Sequence, residues 1–259
     1  MHQHQQIGVL ITHYNRSKSL ERLLLSLKNL NLAFNEIVVS DDGSQPVHLN
    51  ELERLKTIYH FKLVSTPVNR GLGHNINKGQ DAITSKYTLY IQEDFVPTEA
   101  FIQKLQNAKE YLESDAGLDM VRFYAYTKYP NLVPVQHGFS EMQFSQAYFW
   151  EGYQKFYLYS DHPHIRRSNF FEKFGRYQEG LNPERTEYRM MMQVLKVGTK
   201  VYFYNDHQSL FIQENSAEEP STLKRNFWRN NDTIFINGLR HMYRYLRFNF
   251  DLLHLKFKS

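Results

Sequence analysis

The chain has 259 residues, no cysteine and a formal net charge of +4, from 31 Lys and Arg against 27 Asp and Glu. The absence of cysteine excludes a disulfide scaffold, a cysteine-ligated zinc or iron–sulfur site and thiol catalysis. The length suits one domain with an appendage. Residues 1–6 are polar and no uncharged apolar run reaches about 18 residues, so we expect a cytoplasmic chain without a spanning helix.

Short apolar runs alternate with helical patterns through the first hundred residues. The runs predict strands, and the apolar spacing between them predicts helices. The predicted strands are 7–11, 37–39, 61–64 and 87–91, with helices at about 20–30, 49–55 and 73–83. This order is typical of βαβ units and a mainly parallel sheet. Ligands of such sheets bind at the carboxyl ends of the strands, so the polar residues there are the candidates for a site.

The second half of the chain is aromatic and less regular. Residues 120–160 have a strand-like pattern, and helices are predicted around 167–174 and 184–197, the latter ending at Gly198. No repeat or linker divides this region. We therefore predict one domain over residues 1–220 and a helical extension over residues 221–259.

Polar residues follow each of the first two predicted strands. Thr12 and Tyr14 follow the first, where Tyr14 either stacks on a base or is a surface tyrosine. Asp41 and Asp42 follow the second and precede Gly43. Such a sequence is ordinary turn chemistry, although a carboxylate at this edge can also accept the imide N–H of uracil or ribose hydroxyls.

A basic residue follows the third predicted strand and an acidic pair follows the fourth, and both are candidate site residues. Arg70 lies in a glycine-rich segment before a helix, where backbone N–H groups suit an anion. Glu93 and Asp94 follow the fourth strand. Adjacent carboxylates there either bind Mg²⁺ or Mn²⁺ together with substrate phosphates, or cap the turn before the next helix.

Glu187 is the most informative acid of the second half. It shares a helical stripe with Met190, Met191 and Val194. It also lies near the start of its helix, where the dipole favours an ionised carboxylate. Glu187 is therefore either a general base or a helix-start acid without a catalytic role.

Positive charge is concentrated at the C-terminus. Residues 221–259 contain eight Lys or Arg and two Asp, which gives +6 and leaves −2 for the rest of the chain. Apolar residues recur there at helical spacing: Phe235, Leu239, Met242, Leu246, Phe250 and Leu253. The extension is predicted to dock this stripe on the domain, to lie on an anionic membrane surface, or both. Nucleic acid is not expected as a partner because no recognition motif is present.

Taken together, residues 7–203 resemble the family 2 glycosyltransferases. The resemblance rests on ordered elements: the strand and loop at 7–15, Val39-Ser-Asp-Asp-Gly-Ser44, Asn69-Arg-Gly with Asn77-Lys-Gly79, Glu93-Asp94, and Glu187 before Lys196-Val-Gly198. It implies the α/β GT-A fold, a Rossmann-like, mainly parallel central sheet flanked by helices. It also implies an inverting, metal-dependent enzyme that uses a nucleotide-sugar donor, with UDP the expected nucleotide.

The resemblance also implies roles for individual residues. Those matched to the nucleotide-sugar are Thr12, Tyr14, Asp41, Asp42, Arg70 and Glu93. Asp94, with Glu93, would hold Mn²⁺ or Mg²⁺, and Glu187 would deprotonate the acceptor hydroxyl. The segment with Asp161, His162 and His164 falls where family members place acceptor-facing residues, although a structural His–Pro turn explains each of them as well.

Several positions depart from the family pattern. Gln92 stands at the first position of the Asp-x-Asp metal motif, so that ligand is neutral. Thr186 replaces the acid that normally precedes the base, and Glu187 stands where Asp is usual. His207 is near, but not in register with, the His that often follows the last strand as a further ligand.

The resemblance therefore implies a hexosyl- or N-acetylhexosaminyltransferase acting on a saccharide or lipid-linked saccharide in surface polysaccharide assembly. Its expected location is cytoplasmic, with peripheral contact to the membrane through the extension as an option. Two other functions stay open. Gln92 and Thr186 are compatible with an inert nucleotide-sugar-binding module, and the basic extension with a membrane-surface or nucleic-acid adaptor.

Overall fold

The computed structural model describes residues 2–147, 151–214 and 234–257. The first half alternates strands and helices: β1 (His2–His13), α1 (Ser17–Asn29), β2 (Leu32–Asp41), α2 (Pro46–Tyr59), β3 (Lys62–Ser65), α3 (Leu72–Asp81), β4 (Tyr87–Gln92), β5 (Phe95–Pro97) and α4 (Ala100–Ser114). The second half has shorter strands: β6 (Leu118–Arg122), β7 (Leu132–Pro134), β8 (Phe139–Met142), β9 (His164–Arg167), α5 (Phe170–Phe174), α6 (Pro183–Val197), β10 (Lys200–Tyr204), β11 (Phe211–Gln213) and α7 (Ile234–Phe257).

Within the described residues the main sheet has nine strands in the order β3-β2-β1-β4-β9-β6-β10-β8-β7. Strands β3, β2, β1 and β4 are parallel, and their apolar centres pack between helices on the two faces. The register pairs Thr12 with both Ser40 and Gln92, so the three central strands end at one level. The predicted α/β class with a mainly parallel sheet is confirmed.

The sequence missed the strand between β4 and β6. We predicted a helix from about residue 167, but His164–Arg167 form β9, which runs antiparallel to both neighbours, and the helix α5 begins only at Phe170. A four-residue strand containing a histidine and two arginines has no apolar run to mark it. Arg166 is nevertheless fully buried, with its guanidinium over the rings of Phe170 and Phe171.

The C-terminal helix α7 packs against α6, but not through the face that its stripe suggested. Phe248 and Leu252 are buried, and the ring of Phe248 lies 5.0 Å from that of Tyr188 in α6. The Tyr188 hydroxyl donates to Asp251 Oδ2 over 2.5 Å. The predicted docking stripe, by contrast, is exposed at Leu239, Met242, Leu246, Phe250 and Leu253. The prediction that this stripe docks is therefore wrong, while docking of the helix itself is correct. Residues 221–233 of the predicted extension lie outside the described residues.

Candidate active site

A cavity of about 850 Å³ opens at the carboxyl ends of the central strands. The ends of β1 and β4, the turn after β2 and the first turns of α3 and α6 form its walls. Its polar lining includes Thr12, Tyr14, Arg16, Asp42, Gln92, Glu93, Asp94, Tyr126, Asp161, His162, Asn182, Glu184, Glu187 and Gln213. Seven of the predicted site residues therefore share one cavity with Glu187, because parallel strands bring their carboxyl ends to one edge.

Two carboxylates and a guanidinium lie together at the end of β4. Arg16 Nη1 is 3.3 Å from Glu93 Oε1 and 3.4 Å from Asp94 Oδ2, and all three side chains are nearly buried. Burial, followed by the adjacent Asp94 charge, raises the pKa of Glu93 to about 8. One arginine thus faces two acids, and the site is short of positive charge.

Gln213 fixes the orientation of Asp94. Its Nε2 donates to Asp94 Oδ2 over 3.0 Å, while its Oε1 accepts from the Tyr126 hydroxyl over 2.8 Å. The backbone N–H of Glu214 donates to the Asp94 carbonyl. The chain after β11 therefore holds the acidic end of β4 in place.

Asp94 Oδ1 is buried and has no hydrogen-bond partner within the described structure. A desolvated carboxylate oxygen beside a second carboxylate is costly unless a cation meets it. The arrangement therefore fits a divalent ion held by Asp94 and Glu93. No group of three or more Asp, Glu, His or Cys that could hold a metal occurs in the described part of the chain.

Glu187 also lines the cavity, in the first turn and a half of α6. Asn182 caps this helix by accepting the Arg185 N–H, and Pro183 follows it, so the helix start is well defined. The backbone N–H of Asp161 donates to Glu187 Oε1 over 3.1 Å. Burial, and then the Asp161 charge, raise the pKa of Glu187 to about 7, which suits proton transfer near neutral pH.

Asp161 is a second buried carboxylate on the same wall. Its Oδ1 accepts from the hydroxyls of Tyr159 and Tyr177 over 2.7 and 2.8 Å. Its Oδ2 is buried without a partner in the described structure, and burial raises its pKa. The tyrosines hold one oxygen, so the other stays available to a group that enters the cavity.

His162 and His164 have different surroundings. His162 lines the cavity, where its ring lies 4.6 Å from that of Tyr126. His164 is in β9 with no exposed surface, between the rings of Tyr90 and Tyr159, and its Nδ1 contacts the His162 carbonyl. The prediction that His164 faces the acceptor is wrong, because β9 is an interior strand of the sheet and is buried on both faces.

Asp41 is engaged within the protein rather than in the cavity. The Arg16 backbone N–H donates to His13 Nε2, so His13 Nδ1 carries the proton and donates to Asp41 Oδ1 over 2.8 Å. The Ser44 hydroxyl donates to the same oxygen, and the backbone N–H groups of Gly43 and Ser44 donate to Asp41 Oδ2. Although burial opposes ionisation, these hydrogen bonds lower the pKa of Asp41. The predicted contact of Asp41 with the nucleotide is not supported, because both oxygens of its carboxylate accept hydrogen bonds from His13, Gly43 and Ser44.

Asp42 lines the cavity while bracing the loop before α3. Its two carboxylate oxygens accept the backbone N–H groups of Arg70 and Gly71 over 3.0 and 2.8 Å. The Arg70 guanidinium turns outward to Glu179, 3.3 Å away, and lines a smaller surface recess instead. The prediction that Arg70 meets the nucleotide therefore lacks support in this arrangement, whereas Asp42 remains at the cavity wall.

The first predicted loop reaches the cavity as expected. Thr12 and Tyr14 both line it, and the Thr12 hydroxyl lies 3.1 Å from that of Tyr90. Sequence reasoning missed Arg16, Tyr126 and Gln213. Of these, only Arg16 had a signal, because it follows the same strand as Thr12.

Comparison with known proteins gives one family and several similar structures. The family model described as "Glycosyl transferase family 2" matches residues 8–175, which is more than half of the chain. The match ends before Glu187.

Curated relatives match shorter parts of the chain. The poly-beta-1,6-N-acetyl-D-glucosamine synthase of Staphylococcus epidermidis is 30% identical over 97 residues, covering 36% of this chain and 24% of the relative. The cholesterol galactosyltransferase of Borreliella burgdorferi is 26% identical over 121 residues, covering 47% and 33%. The matched region thus spans only a quarter to a third of these relatives.

Similar solved structures cover more of the chain. S. aureus TarS 1–349 in complex with UDP-GlcNAc has a TM-score of 0.64 at 16% identity, covering 95% of this chain and 73% of that one. The mannosyltransferase PcManGT from Pyrobaculum calidifontis, in complex with GDP-Man and Mn²⁺, has a TM-score of 0.53 at 15% identity, covering 76% and 53%. These similarities confirm the expected GT-A fold.

Proposed function

The chain belongs to glycosyl transferase family 2, and from that premise we propose that it moves a sugar from a nucleotide donor to a hydroxyl of a saccharide or lipid-linked saccharide, with inversion. A UDP-sugar is the proposed donor, since the similar TarS structure contains UDP-GlcNAc. Hexosyl or N-acetylhexosaminyl transfer in surface polysaccharide assembly, at the cytoplasmic face of a membrane, is the proposed setting.

One observation carries this proposal. The acid pair Glu93 and Asp94 faces the same cavity as Glu187, although the two sets come from different halves of the chain. Displacement at an anomeric carbon needs a stabilised diphosphate leaving group on one side and a base at the acceptor hydroxyl on the other. The acid pair would supply the first and Glu187 the second.

Glu187 is the proposed base. Its pKa of about 7 leaves a useful ionised fraction at neutral pH together with basicity toward a hydroxyl proton. The Asp161 N–H holds Oε1, so the carboxylate is oriented before the acceptor arrives. Glu187 would take the proton as the acceptor oxygen attacks the anomeric carbon on the face opposite the leaving diphosphate.

Asp94 and Glu93 are the proposed holders of Mn²⁺ or Mg²⁺. A bound divalent ion supplies Lewis-acid stabilisation of the departing nucleoside diphosphate. Gln213 orients Asp94 for this purpose, and Arg16 contributes a fixed positive charge at the same wall. Gln92 lines the cavity as a neutral neighbour.

The two ends of the substrate would meet different walls. Thr12, Tyr14 and Asp42 line the part of the cavity near β1 and β2, and we assign the nucleoside to them. Asp161 adjoins Glu187 and His162 lines the same cavity, and we assign acceptor hydroxyls to Asp161 Oδ2 and His162. A buried carboxylate oxygen without a partner is a strong acceptor for a sugar O–H group.

The deciding experiment is a thermal shift of the full chain with UDP, TDP, GDP and CDP, each with and without Mn²⁺, followed by an assay of sugar release from the donor that binds. We expect one nucleotide to stabilise the protein, and Mn²⁺ to increase the shift. Binding without donor turnover would favour an inert module. The absence of any nucleotide response would contradict the proposed function.

A further inference from the structure

The outward face of α7 forms a continuous apolar surface, which we call the outer stripe. It consists of seven side chains that are each between 45% and 86% exposed: Leu239, Met242, Tyr243, Leu246, Phe250, Leu253 and Phe257. Successive members are one, three or four residues apart, so they share one side of the helix. Within the described residues nothing covers them. A contiguous apolar surface of this kind marks an interaction site.

The position of α7 does not depend on the outer stripe. The opposite face supplies Phe248 and Leu252 to the core, and the Arg244 guanidinium lies 3.1 Å from the Tyr153 hydroxyl. Asp251 accepts from Tyr188 on the same inner side. The protein thus holds the helix rigidly while presenting its apolar side outward.

Charge on α7 follows the borders of the outer stripe. Arg240 and Arg247 lie along one border and Lys256 along the other, at the angles set by 100° per residue. The helix has four Lys or Arg against one acid, Asp251, whose carboxylate accepts from the Tyr188 hydroxyl and lies 3.6 Å from Arg247 Nε. The net charge of the described helix is therefore +3.

We propose that the outer stripe binds the surface of an anionic lipid bilayer, with α7 lying in the plane of the interface. Phe250, Leu246 and their neighbours would enter the acyl boundary, while the bordering Arg and Lys side chains meet the headgroups. Residues 238–257 extend over about 30 Å, so the contact is long enough to hold the domain in one orientation. No helix of the described residues is long and apolar enough to cross a membrane.

A second copy of the chain fits this surface less well. Pairing two outer stripes would set one helix of net charge +3 against another, and the one acid of the described helix, Asp251, is already engaged by Arg247 and Tyr188. Anionic headgroups supply the missing negative charge. The charge pattern therefore favours a lipid surface.

The proposed contact would also orient the active site. Tyr188 touches α7, while its neighbour Glu187 faces the cavity, so the acceptor wall and the outer stripe belong to adjoining helices. A lipid-linked acceptor would then reach Glu187 from the same bilayer. This consequence rests on the proposed function, whereas binding to the bilayer does not.

Sedimentation with vesicles tests the proposal. The full chain is mixed with vesicles of phosphatidylglycerol and phosphatidylcholine, or of phosphatidylcholine alone, and the bound fraction is measured at low and high salt. We expect binding to the anionic vesicles that weakens with salt, and a loss of about tenfold or more in the Leu246→Glu/Phe250→Glu double variant.

The matched control is Leu25→Glu/Val47→Glu, which makes the same charge change at exposed apolar positions of α1 and α2. It should bind vesicles almost as the native chain does, and melting curves of both double variants should match because none of the four side chains is buried. Equal sedimentation of the Leu246→Glu/Phe250→Glu variant would overturn the proposal. Failure of the native chain to bind, with a dimer in light scattering that this variant abolishes, would identify a second copy as the occupant instead. The UDP thermal shift, measured separately, shows whether the proposed function stands.

Discussion

The backbone N–H of Asp161 donates a hydrogen bond to Glu187 Oε1 over 3.1 Å, so a carboxylate-bearing loop residue both orients the proposed base and places a second negative charge beside it. The hydrogen bond stabilises the ionised form of Glu187, whereas burial and the Asp161 charge oppose it and prevail.

Transfer should therefore depend on pH through Glu187. The ionised form is the base and its pKa is raised to about 7, so kcat/KM should fall as the pH decreases below about 7. Asp161→Asn keeps the backbone N–H and the tyrosine contacts but removes the charge. It should lower the pKa of Glu187 and move the acidic limb to lower pH. An acidic limb that does not move in Asp161→Asn would contradict the electrostatic coupling. Asp206→Asn, at an exposed position, serves as the control and should leave the pH profile unchanged.

Removing the base should separate catalysis from donor binding. Glu187→Gln keeps the shape of the side chain but cannot accept the proton, so we expect kcat to fall by about 100- to 10,000-fold. The thermal shift with the donor nucleotide should persist. Glu172→Gln, on the exposed side of α5, should leave kcat unchanged. Undiminished turnover in Glu187→Gln would exclude Glu187 as the base.

Asp94→Asn tests the proposed metal site. The neutral amide removes a carboxylate whose Oδ1 is buried without a partner in the described structure. The extra stabilisation that Mn²⁺ gives in the presence of UDP should disappear, whereas the metal-free melting temperature should hold or rise because a buried charge is lost. Retention of the Mn²⁺-dependent shift, measured by differential scanning fluorimetry, would rule out Asp94 as a ligand.

Gln213→Ala tests the orientation of Asp94. The variant loses the 3.0 Å hydrogen bond to Asp94 Oδ2 and frees the Tyr126 hydroxyl. A hydrogen bond to a charged group contributes about 1.5–3 kcal/mol, so the Kd for UDP with Mn²⁺ should rise roughly tenfold or more. Titration calorimetry measures this change. The adjacent Ile212→Ala, at an exposed side chain, should bind as the native chain does; equal losses in both variants would point to general loosening of β11.

Gly79→Ala should destabilise the fold. A Cβ at this position of α3 would overlap Leu10 Cδ1 and lie 2.9 Å from Ser40 Cβ, where α3 meets β1 and β2. Such overpacking costs about 1–3 kcal/mol of unfolding free energy. Gly238→Ala, whose Cβ would meet nothing within 4 Å, should be neutral or slightly stabilising. Urea denaturation of both variants gives the difference.

Local sequence pattern was sufficient for the alternation of strands and helices from β1 to β4, although β1 and β2 are longer than predicted. The strands at residues 7–11 and 87–91 are short, mostly apolar runs, and such runs between leucine-spaced helices favour buried parallel strands. β9 escaped prediction because its stability comes from pairing with β4 and β6 and from packing of Arg166 on aromatic rings, contacts that are distant in sequence.

The candidate site was predictable in outline but not in the direction of its side chains. The parallel strands place Asp42 and Asp94 at one edge, whereas Glu187, on a helix, was assigned to the site by its helical stripe and the family resemblance. Whether a carboxylate enters the cavity depends on local hydrogen bonds, and those turn Asp41 inward and leave Asp94 Oδ1 facing the cavity. Gln213 was not predictable because its partner lies 119 residues away.

The hydrogen bonds around Asp41 show that residue types and distances alone do not identify an active site. Ser44, His13 and Asp41 lie within hydrogen-bonding distance of one another, as the members of a serine-hydrolase triad do. In a triad, however, the imidazole stands between hydroxyl and carboxylate and takes the hydroxyl proton. Here the Ser44 hydroxyl donates directly to Asp41, and the Arg16 N–H occupies the remaining imidazole nitrogen. A search by residue type and distance would identify Ser44 as a nucleophile. The direction of the hydrogen bonds shows instead that Asp41 connects the loops after β1 and β2.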